Sequence, residues 1–458
     1  MMAARLSRLS EWTGGSLHGQ DVRCIGVSTD SRSVAPGQLF IALPGERVDG
    51  HDFVATAQAA GAAAALVARS LPLALPQLVV GDTVAALSRI ARHWLKENGA
   101  RRIGITGSNG KTTVKTLTAG VLAQAGRTYA NPGNRNNEIG LPLAALELGP
   151  EHAFAVFEMG AGKPGDIEWL CSIAPPQIGL VNNIAPAHLE RLGSIEGVAQ
   201  TKAAIYRALP TSGVAVIPAD DDFAPLFRTS AGHCRRVEFG LEGDVEVRAS
   251  AIQLELAGSR FCLHLGDAPA RPVTLSLSGR HNVRNALAAA AIGHAAGLDP
   301  AQIVRGLETA PAVAGRLQRE THPAGWTLLD DSYNANPGSF RAGLEALALA
   351  PGRRWVAMGQ MAELGPGAAT LHAELGALAL KLGVGRLYAV GELSRHAVAA
   401  AGSIGRHFPD QASLIAALAG ELERDVTLLV KGSRSAAMDL VVAALRRLPA
   451  GPTGVATC

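Results

Sequence analysis

The residues best suited to chemistry form a glycine-rich segment, GITGSNGKTT, at positions 104–113. An apolar run at 103–106 predicts a strand before it, and apolar residues at helical spacing predict a helix after it. Glycines in such a loop let backbone N–H groups turn toward phosphate oxygens at a helix N-terminus. A tight turn before a helix is the alternative. The residues expected to contact a nucleotide phosphate are Gly107, Ser108, Asn109, Gly110, Lys111, Thr112 and Thr113.

Two side chains of this segment have distinct expected roles. Lys111 would lie against the β and γ phosphates, and the Thr112 hydroxyl would bind Mg²⁺. The strict phosphate-loop pattern has glycine where Ile105 stands, so this loop is a variant. A phosphate loop does not by itself separate a kinase, a GTPase, an ATPase and a ligase. The chain has no Asn-Lys-x-Asp guanine signature, which argues against a GTPase.

Three further residues could complete a metal site. Glu158 follows an apolar run at 153–157, so its carboxylate should emerge beside the phosphate loop, where a hard cation needs oxygen ligands. His188 follows another predicted strand at 178–184, although a lone histidine is more often structural than a ligand. Lys202 falls in a predicted helix, and the sequence alone favours an ordinary solvated lysine there.

The loop TGSNGKTT at 106–113 resembles the ATP loop of the Mur ligases, which build the peptide stem of bacterial cell-wall precursors. This resemblance implies catalytic roles for Lys111, His188 and Lys202, and it makes Thr112, Glu158, His188 and Lys202 metal-binding residues. It implies ATP and two Mg²⁺ ions, with Lys202 carried as a carbamate. A lysine of lowered pKa has a neutral amine that can add CO₂ and become an anionic oxygen ligand. The family often has Gly-Glu after this lysine, whereas this chain has Ala203 and Ala204.

Two more segments carry the same resemblance. In GRHNVRNA at 279–286, it implies that Asn282 and Asn285 lie near the adenine, although their spacing alone predicts an ordinary packing helix. It also implies that Arg316 and Asp331 reach the nucleotide when domains close. An arginine offers a planar fork for phosphate oxygens.

The segment DDSYNANP at 330–337 is the most discriminating part of the chain. It resembles the Mur ligase that adds D-alanyl-D-alanine to UDP-N-acetylmuramoyl-tripeptide, and it implies substrate contacts for Tyr333, Asn334 and Asn336. Asn336 could instead simply cap a helix beginning at Pro337. Near the N-terminus, Ser31 and Arg32 resemble a uridine-nucleotide site, and turn residues in a small domain are the alternative there. Asn137 is also expected to contact substrate.

The elements that must position these residues predict an α/β protein of three domains. A small mixed N-terminal domain at 1–82 would bind the UDP substrate, and a central parallel-sheet domain of the phosphate-loop ATPase type at 83–312 would bind ATP. A Rossmann-like ligase domain at 313–458 would follow, with strands predicted at 326–329, 355–358, 387–390 and 426–430. A chain of 458 residues is long enough for this organisation.

Composition excludes several other classes of protein. The net charge is +3 and the basic residues are scattered, so nucleic-acid binding is not expected. The five cysteines form no Cys-x-x-Cys pair, which favours a reducing compartment without structural zinc. No signal peptide or membrane span is apparent, so we expect a cytoplasmic protein. A monomer is expected, although the sequence does not fix the oligomeric state.

The alternatives that stay open are a Mur ligase that adds the third residue and a folylpolyglutamate synthase. A nucleotide-binding regulator that has lost catalysis is an alternative from another class. The sequence does not distinguish diaminopimelate from lysine at the third peptide position.

Overall fold

Three large sheets organise this chain, each built from a different stretch of the sequence. The computed structural model describes residues 1–45, 48–186 and 189–449. Within these ranges no helix is long and apolar enough to cross a membrane.

The N-terminal sheet has five short strands. In chain order the elements are β1 (Ala3–Arg5), α1 (Leu6–Thr13), β2 (Ser16–His18), β3 (Arg23–Ile25), β4 (Val27–Ser28), β5 (Leu39–Ile41), α2 (Val54–Ala59), β6 (Ala64–Val67), β7 (Gln77–Val79) and α3 (Thr83–Glu97). The strand order is β2-β7-β6-β5-β4, in which only β2 runs antiparallel to its neighbour. A separate antiparallel pair joins β1 to β3. The predicted small mixed domain is therefore confirmed as a mixed sheet.

The central sheet has nine strands and carries the phosphate loop. Its elements are β8 (Arg101–Thr106), α4 (Lys111–Leu122), β9 (Thr128–Ala130), α5 (Gly140–Glu147), β10 (Phe154–Glu158), α6 (Asp166–Ile173), β11 (Ile178–Val181), α7 (Leu189–Leu192), α8 (Ile195–Arg207), β12 (Val214–Pro218), α9 (Ala224–Ser230), β13 (Arg235–Gly240), β14 (Val247–Glu255), β15 (Gly258–Leu265), β16 (Arg271–Leu275), α10 (Arg280–Ala296) and α11 (Pro300–Thr309). The order is β16-β15-β14-β13-β12-β11-β8-β10-β9.

The parallel part of this sheet brings the candidate site residues together. All pairings from β9 to β14 are parallel, and β15 and β16 extend the sheet as an antiparallel hairpin. Strand β8 pairs with both β10 and β11. The carboxyl ends of these three strands therefore meet at one edge of the sheet, where ligands bind in open α/β folds.

The C-terminal sheet is parallel except at one edge. Its elements are β17 (Gln318–Thr321), β18 (Thr327–Asp331), α12 (Pro337–Ala348), β19 (Arg353–Gly359), α13 (Ala368–Lys381), β20 (Arg386–Val390), α14 (Ser394–Ala401), β21 (Gly405–Phe408), α15 (Gln411–Glu421), β22 (Val426–Lys431) and α16 (Met438–Leu445). The order is β17-β18-β22-β19-β20-β21, with β17 antiparallel. The four strands predicted from apolar runs are confirmed, with ends shifted by at most two residues.

The segment VKGSR at 430–434 is also predicted from the sequence to open a helix. A short 3-10 helix, Arg434–Ala436, begins at its last residue, and the α-helix α16 begins only at Met438. Ala437 separates the two because its φ of +47° lies in the left-handed region.

The N-terminal and central sheets share a hydrophobic core. One continuous hydrophobic cluster contains Leu6 and Leu66 from the N-terminal sheet region and also Leu141 and Phe157 from the central region. Helix α3 lies between them and contacts both α1 and α5. The domain boundaries near 82 and 312 therefore stay predictions.

Candidate active site

The phosphate loop joins β8 to α4 in a shape that two glycines permit. Gly107 and Gly110 have φ values of +149° and +76°, which residues with side chains rarely adopt. A Cβ at Gly110 would also lie 2.5 Å from Asn285 Oδ1 and 2.7 Å from Asn182 Nδ2. The loop therefore requires glycine at position 110 for both its conformation and its space.

Lys111 begins α4 and folds back over the loop. Its Nζ donates to the carbonyl oxygen of Gly107 at 2.8 Å. Burial lowers the pKa of Lys111, and the charge of Glu158 partly offsets this effect. The N-cap of α4 is Gly110, and no side chain caps the helix there. Backbone N–H groups and one ammonium group therefore face the place where an anion would bind.

Glu158 ends β10 and lies against the start of α4. Its Oε2 accepts from Thr112 Oγ1 at 2.9 Å and lies 3.3 Å from Lys115 Nζ, while Oε1 accepts from Asn136 Nδ2 at 2.8 Å. Burial raises the pKa of Glu158, but the charges of Lys115 and Lys111 and the two hydrogen bonds outweigh it and hold the pKa below its ordinary value. The carboxylate is therefore kept ionised beside the phosphate loop.

Two residues that were not predicted from the sequence, Lys115 and Asn136, both contact Glu158. Lys115 lies four residues after Lys111, so the two lysines share one face of α4. That spacing was the available signal for Lys115. We find no comparable signal for Asn136.

The oxygen atoms beside the loop suit a hard cation. The Thr112 hydroxyl and the Glu158 carboxylate are the donor types that Mg²⁺ prefers, and Mg²⁺ commonly uses only one or two protein ligands together with substrate phosphates and water. Within the described ranges, no three or more histidine, cysteine or acidic side chains gather as metal ligands. His188, a further expected ligand, lies outside the described residues. The residues present therefore fit a Mg²⁺ ion held jointly with a nucleotide.

Lys202 belongs to α8, and its side chain is buried, with only 1% of the residue exposed. Burial lowers its pKa well below the ordinary value, and the charge of Lys111 adds to this effect while Asp166 opposes it. Ala203 and Ala204, which replace the Gly-Glu common in the family, are buried beside it. The surroundings of Lys202 are those that favour a neutral amine.

Three asparagine side chains, joined by hydrogen bonds, support the phosphate loop. Asn182 Nδ2 donates to the Asn109 carbonyl oxygen at 3.0 Å and to Asn285 Oδ1 at 2.9 Å. Asn285 Nδ2 in turn donates to Asn282 Oδ1 at 3.1 Å. Asn282 and Asn285 line the same cavity as the loop. Their amides thus tie the expected adenine end of the site to the phosphate loop, and contact with adenine stays a prediction.

The C-terminal sheet brings Arg316 and Asp331 to the same cavity. Arg316 Nη2 donates to Thr112 Oγ1 at 3.2 Å, so this guanidinium already lies beside the loop. Asp331 Oδ2 accepts from Lys431 Nζ at 2.6 Å, and both side chains are almost fully buried. Burial raises the pKa of Asp331 and lowers that of Lys431 despite their ion pair.

The segment DDSYNANP makes a direct link to the loop. Asn336 caps α12 by accepting from the Ser339 backbone N–H at 2.9 Å, and its Nδ2 donates to Asn109 Oδ1 at 2.6 Å. Both polar groups of the Asn336 side chain are therefore engaged within the protein. Tyr333 lies near two guanidinium groups, with its ring centroid 4.5 Å from Arg316 Cζ and 5.8 Å from Arg434 Cζ.

Other expected substrate residues lie in different surroundings. Asn334 is exposed, and its Oδ1 accepts from the backbone N–H of Arg434 at 3.2 Å. Asn137 lines the cavity, although its Oδ1 also accepts from the Gly140 N–H at 2.8 Å. Neither contact assigns a role in substrate binding, which stays a prediction for both residues.

The structure does not bring Ser31 and Arg32 to this cavity. Ser31 is buried, and Arg32 is exposed and donates to Asp30 from both Nε, at 2.9 Å, and Nη2, at 2.7 Å. These hydrogen bonds lower the pKa of Asp30 to about 2. A uridine-binding role for the pair stays a prediction.

One cavity of about 730 Å³ joins the central and C-terminal residues. Its volume falls in the range of small-molecule sites. Its lining includes the phosphate loop from Ser108 to Thr113, Glu158, Asn282, Asn285, Arg316, Asp331 and the stretch from Tyr333 to Asn336.

Three family models match the chain, and their matches follow the three sheets. The model described as Mur ligase family, catalytic domain, matches residues 24–97. The Mur ligase middle domain matches residues 105–293, and the Mur ligase, glutamate ligase domain, matches residues 315–434.

Full-length relatives and solved structures agree with these matches. The UDP-N-acetylmuramoyl-tripeptide--D-alanyl-D-alanine ligase of Escherichia coli K12 is 42% identical over 449 residues, which cover 97% of this chain and 99% of the relative. A crystal structure of MurF from Acinetobacter baumannii has a TM-score of 0.92 at 33% identity, covering 97% of this chain and 99% of that chain. The MurF ligase of Thermotoga maritima in complex with ADP has a TM-score of 0.81 at 28% identity, covering 92% and 97%.

Proposed function

We propose, because this chain belongs to the Mur ligase family, that it is the ATP-dependent member that joins D-alanyl-D-alanine to UDP-N-acetylmuramoyl-tripeptide. The product would be the UDP-muramoyl-pentapeptide used in peptidoglycan synthesis. The observation that carries the proposal is the hydrogen bond between Asn336 and Asn109. It connects the segment YNANP, which resembles that of the Mur ligase adding D-alanyl-D-alanine, to the ATP loop.

The reaction must bring two anions together. The γ-phosphoryl group of ATP passes to the terminal carboxylate of the tripeptide and forms an acyl phosphate, which the amine of D-alanyl-D-alanine then attacks. Lys111 and the backbone N–H groups at the start of α4 bind the phosphates, and Arg316 offsets the charge that develops on transfer. The products are the new amide, ADP and phosphate.

Magnesium would be held by Thr112 and Glu158, with His188 as a further ligand. When bound, the ion withdraws charge from the phosphate oxygens. The chain's own part is to keep Glu158 ionised and oriented through Thr112, Asn136 and Lys115.

We also propose that Lys202 is carbamylated and supports a second Mg²⁺. Its burial and lowered pKa provide the neutral amine that reacts with CO₂. Replacing Lys202 with Ala should abolish ligation, and small carboxylic acids should partly restore it by standing in for the carbamate. Full activity of the unrescued variant would refute the carbamate.

The remaining expectations complete the proposal. Asn282 and Asn285 would contact the adenine, Asp331 the nucleotide, and Tyr333, Asn334, Asn336 and Asn137 the peptide substrates. Ser31 and Arg32 would bind the uridine nucleotide. We propose a cytoplasmic monomer with domains at 1–82, 83–312 and 313–458.

Acceptor-dependent release of phosphate tests the function. We expect release from ATP only when UDP-muramoyl-tripeptide and D-alanyl-D-alanine are both present. Release with the dipeptide precursor and a third-residue amino acid would favour the third-residue Mur ligase, and release with a folate and glutamate would favour the folylpolyglutamate synthase. ATP binding without turnover with any acceptor would indicate a regulator. Tripeptides containing diaminopimelate or lysine would define the third residue.

A further inference from the structure

Lys115 is a buried cation whose role the proposed reaction leaves unassigned. It lies in α4, one turn after Lys111, and is only 5% exposed. Its Nζ donates to the carbonyl oxygens of Asn131 at 2.8 Å and Gly133 at 3.0 Å. The same atom lies 3.3 Å from Glu158 Oε2. One ammonium group therefore joins α4, the chain after β9 and the end of β10.

The segment after β9 contacts both the backbone and the side chain of Glu158. Asn131 Oδ1 accepts from the Glu158 backbone N–H at 2.8 Å, and Asn131 Nδ2 donates to the Glu158 carbonyl oxygen at 3.2 Å. Asn136, from the same segment, donates to Oε1 at 2.8 Å. The two carboxylate oxygens thus have separate partners: Asn136 contacts Oε1, and Thr112 and Lys115 contact Oε2.

We propose that Lys115 is a positioning residue, which fixes Glu158 and the segment at 131–137 relative to the phosphate loop. It acts through Glu158, and its direct contacts are with protein atoms. This inference rests on the proposed function for the purpose of Glu158, but the geometry on which it depends does not involve the peptide acceptor.

The contacts of Lys115 differ in number and kind from those of a simple buried ion pair. A pair would require only the contact with Glu158, whereas two of the three short contacts are hydrogen bonds to backbone carbonyl groups of the adjoining segment. Losing the ammonium group would leave the buried Asn131 carbonyl oxygen without its donor and would remove the partly buried hydrogen bond to Gly133. The segment at 131–137, and with it Asn136, would then lose its attachment to α4.

The test compares Lys115→Met, which removes the charge and the donors, with Lys115→Arg, which retains both. Lys381→Met is the matched control, because Lys381 is exposed at the end of α13. We expect Lys115→Met to lower kcat by about 10- to 100-fold, as changes to residues behind a metal ligand typically do, and Lys115→Arg to recover part of that loss. The control should behave as the wild type.

Two measurements without peptide substrates separate positioning from general stability. In Lys115→Met, hydrogen exchange in the segment at 131–137 should accelerate at least about tenfold while the sheet strands β8 and β11 stay protected. The affinity for ADP in EDTA should stay within about twofold of the wild type, and the gain in affinity on adding Mg²⁺ should be lost. If acceptor-dependent turnover fails in the wild type, the proposed function fails while these two measurements still test Lys115.

Other outcomes would overturn the inference. Unchanged exchange at 131–137 in a folded Lys115→Met variant would exclude the attachment. Uniformly faster exchange with wild-type kcat per folded molecule would show a purely structural role. If Lys115→Met does not fold, Lys115→Gln keeps a donor without the charge, and the same exchange and Mg²⁺ measurements on it decide between the two roles.

Discussion

Lys111 and Lys202 carry the same functional group in different surroundings. Lys111 lines the cavity and donates to the phosphate loop, whereas Lys202 is enclosed in α8. Burial lowers the pKa of both, and for Lys202 the shift is large. Lys111 is therefore suited to binding phosphate and Lys202 to reacting as a neutral amine.

The lowered pKa of Lys202 predicts a specific pH dependence of stability. In CO₂-free buffer, unfolding should take up a proton at every pH between the lowered folded pKa and the ordinary value of 10.5. The free energy of unfolding of the wild type should therefore rise with pH across that interval, and Lys202→Met should lack this rise. Urea unfolding of both proteins at several pH values measures this difference. The free energy of unfolding of Lys202→Met should exceed that of the wild type by a margin that grows as the pH falls. An advantage that is the same at every pH would contradict the prediction.

Thr112 offers a second prediction at the scale of one residue. Its hydroxyl contacts both Glu158 and Arg316, so it lies where the central and C-terminal parts meet. Thr112→Ala should lower kcat by about 100-fold or more through loss of the metal-side oxygen, while Thr112→Ser should retain most activity. Phosphate release with both acceptor substrates measures the change, and similar loss in both variants would point to the missing methyl group instead.

The sequence predicted site residues where a local pattern carried the chemistry. Lys111, Thr112 and Glu158 follow from a loop and a strand end, and the structure brings them together. Asn136 could not be predicted because its partner Glu158 is 22 residues away and is reached through a segment without regular structure. The dual use of Asn336 was missed for the same reason, since Asn109 is 227 positions away.

At the scale of elements, α12 shows how a helix start can also join two parts of the molecule. Asn336 and Ser339 form a reciprocal capping box, with Pro337 in the first turn. The cap uses only the Asn336 oxygen for the helix, which leaves its amide N–H for Asn109. The orientation of α12 is therefore coupled to the phosphate loop.

Two substitutions of Asn336 separate these roles. Asn336→Ser keeps a good N-cap but loses the donor to Asn109, whereas Asn336→Ala loses both. We expect the alanine variant to lose about 1 kcal/mol of unfolding free energy and the serine variant to lose little. Both should show a similarly reduced kcat. Thermal unfolding and steady-state kinetics measure the two effects, and wild-type kcat in the serine variant would exclude a role for the Asn109 contact.

Strands were easier to predict than their sheet directions. Runs such as Ile178–Val181 and Val426–Lys431 are mostly apolar and are buried at every position, as parallel strands are when both faces are covered. The antiparallel hairpin of β14 and β15 was not predicted. Strand β14 alternates partly buried and exposed residues and has only one fully buried position, Val247, so its apolar signal is weak.

At the scale of the whole molecule, the central and C-terminal sheets meet away from the active site as well. Leu256, at the turn between β14 and β15, packs against the hydrophobic cluster of the C-terminal sheet that includes Leu329 and Leu344. In a second contact, the Gly365 backbone N–H donates to Glu190 Oε1 at 3.3 Å. The turn between β14 and β15 therefore serves as a support for the C-terminal sheet.

A charge at position 256 should weaken this support. Leu256→Asp should weaken the association of the central sheet with the C-terminal sheet by about 1 kcal/mol, because the leucine is only partly buried. It should also lower kcat by about fivefold. Leu380→Asp is the control, because Leu380 is 49% exposed. Small-angle X-ray scattering should detect a larger radius of gyration for Leu256→Asp alone. Identical scattering and kcat for both variants would contradict the prediction.

The amide contact between Asn109 and Asn336 has a consequence for ionic strength. Three hydrogen bonds between the central and C-terminal parts, Arg316–Thr112, Asn336–Asn109 and Gly365–Glu190, each pair a neutral group with a neutral or singly charged one. Dissolved ions screen the attraction between opposite charges and have little effect on a contact between two amides. Added salt should therefore weaken the binding of ATP, with its charged phosphates, much more than it weakens the attachment of α12 to the phosphate loop.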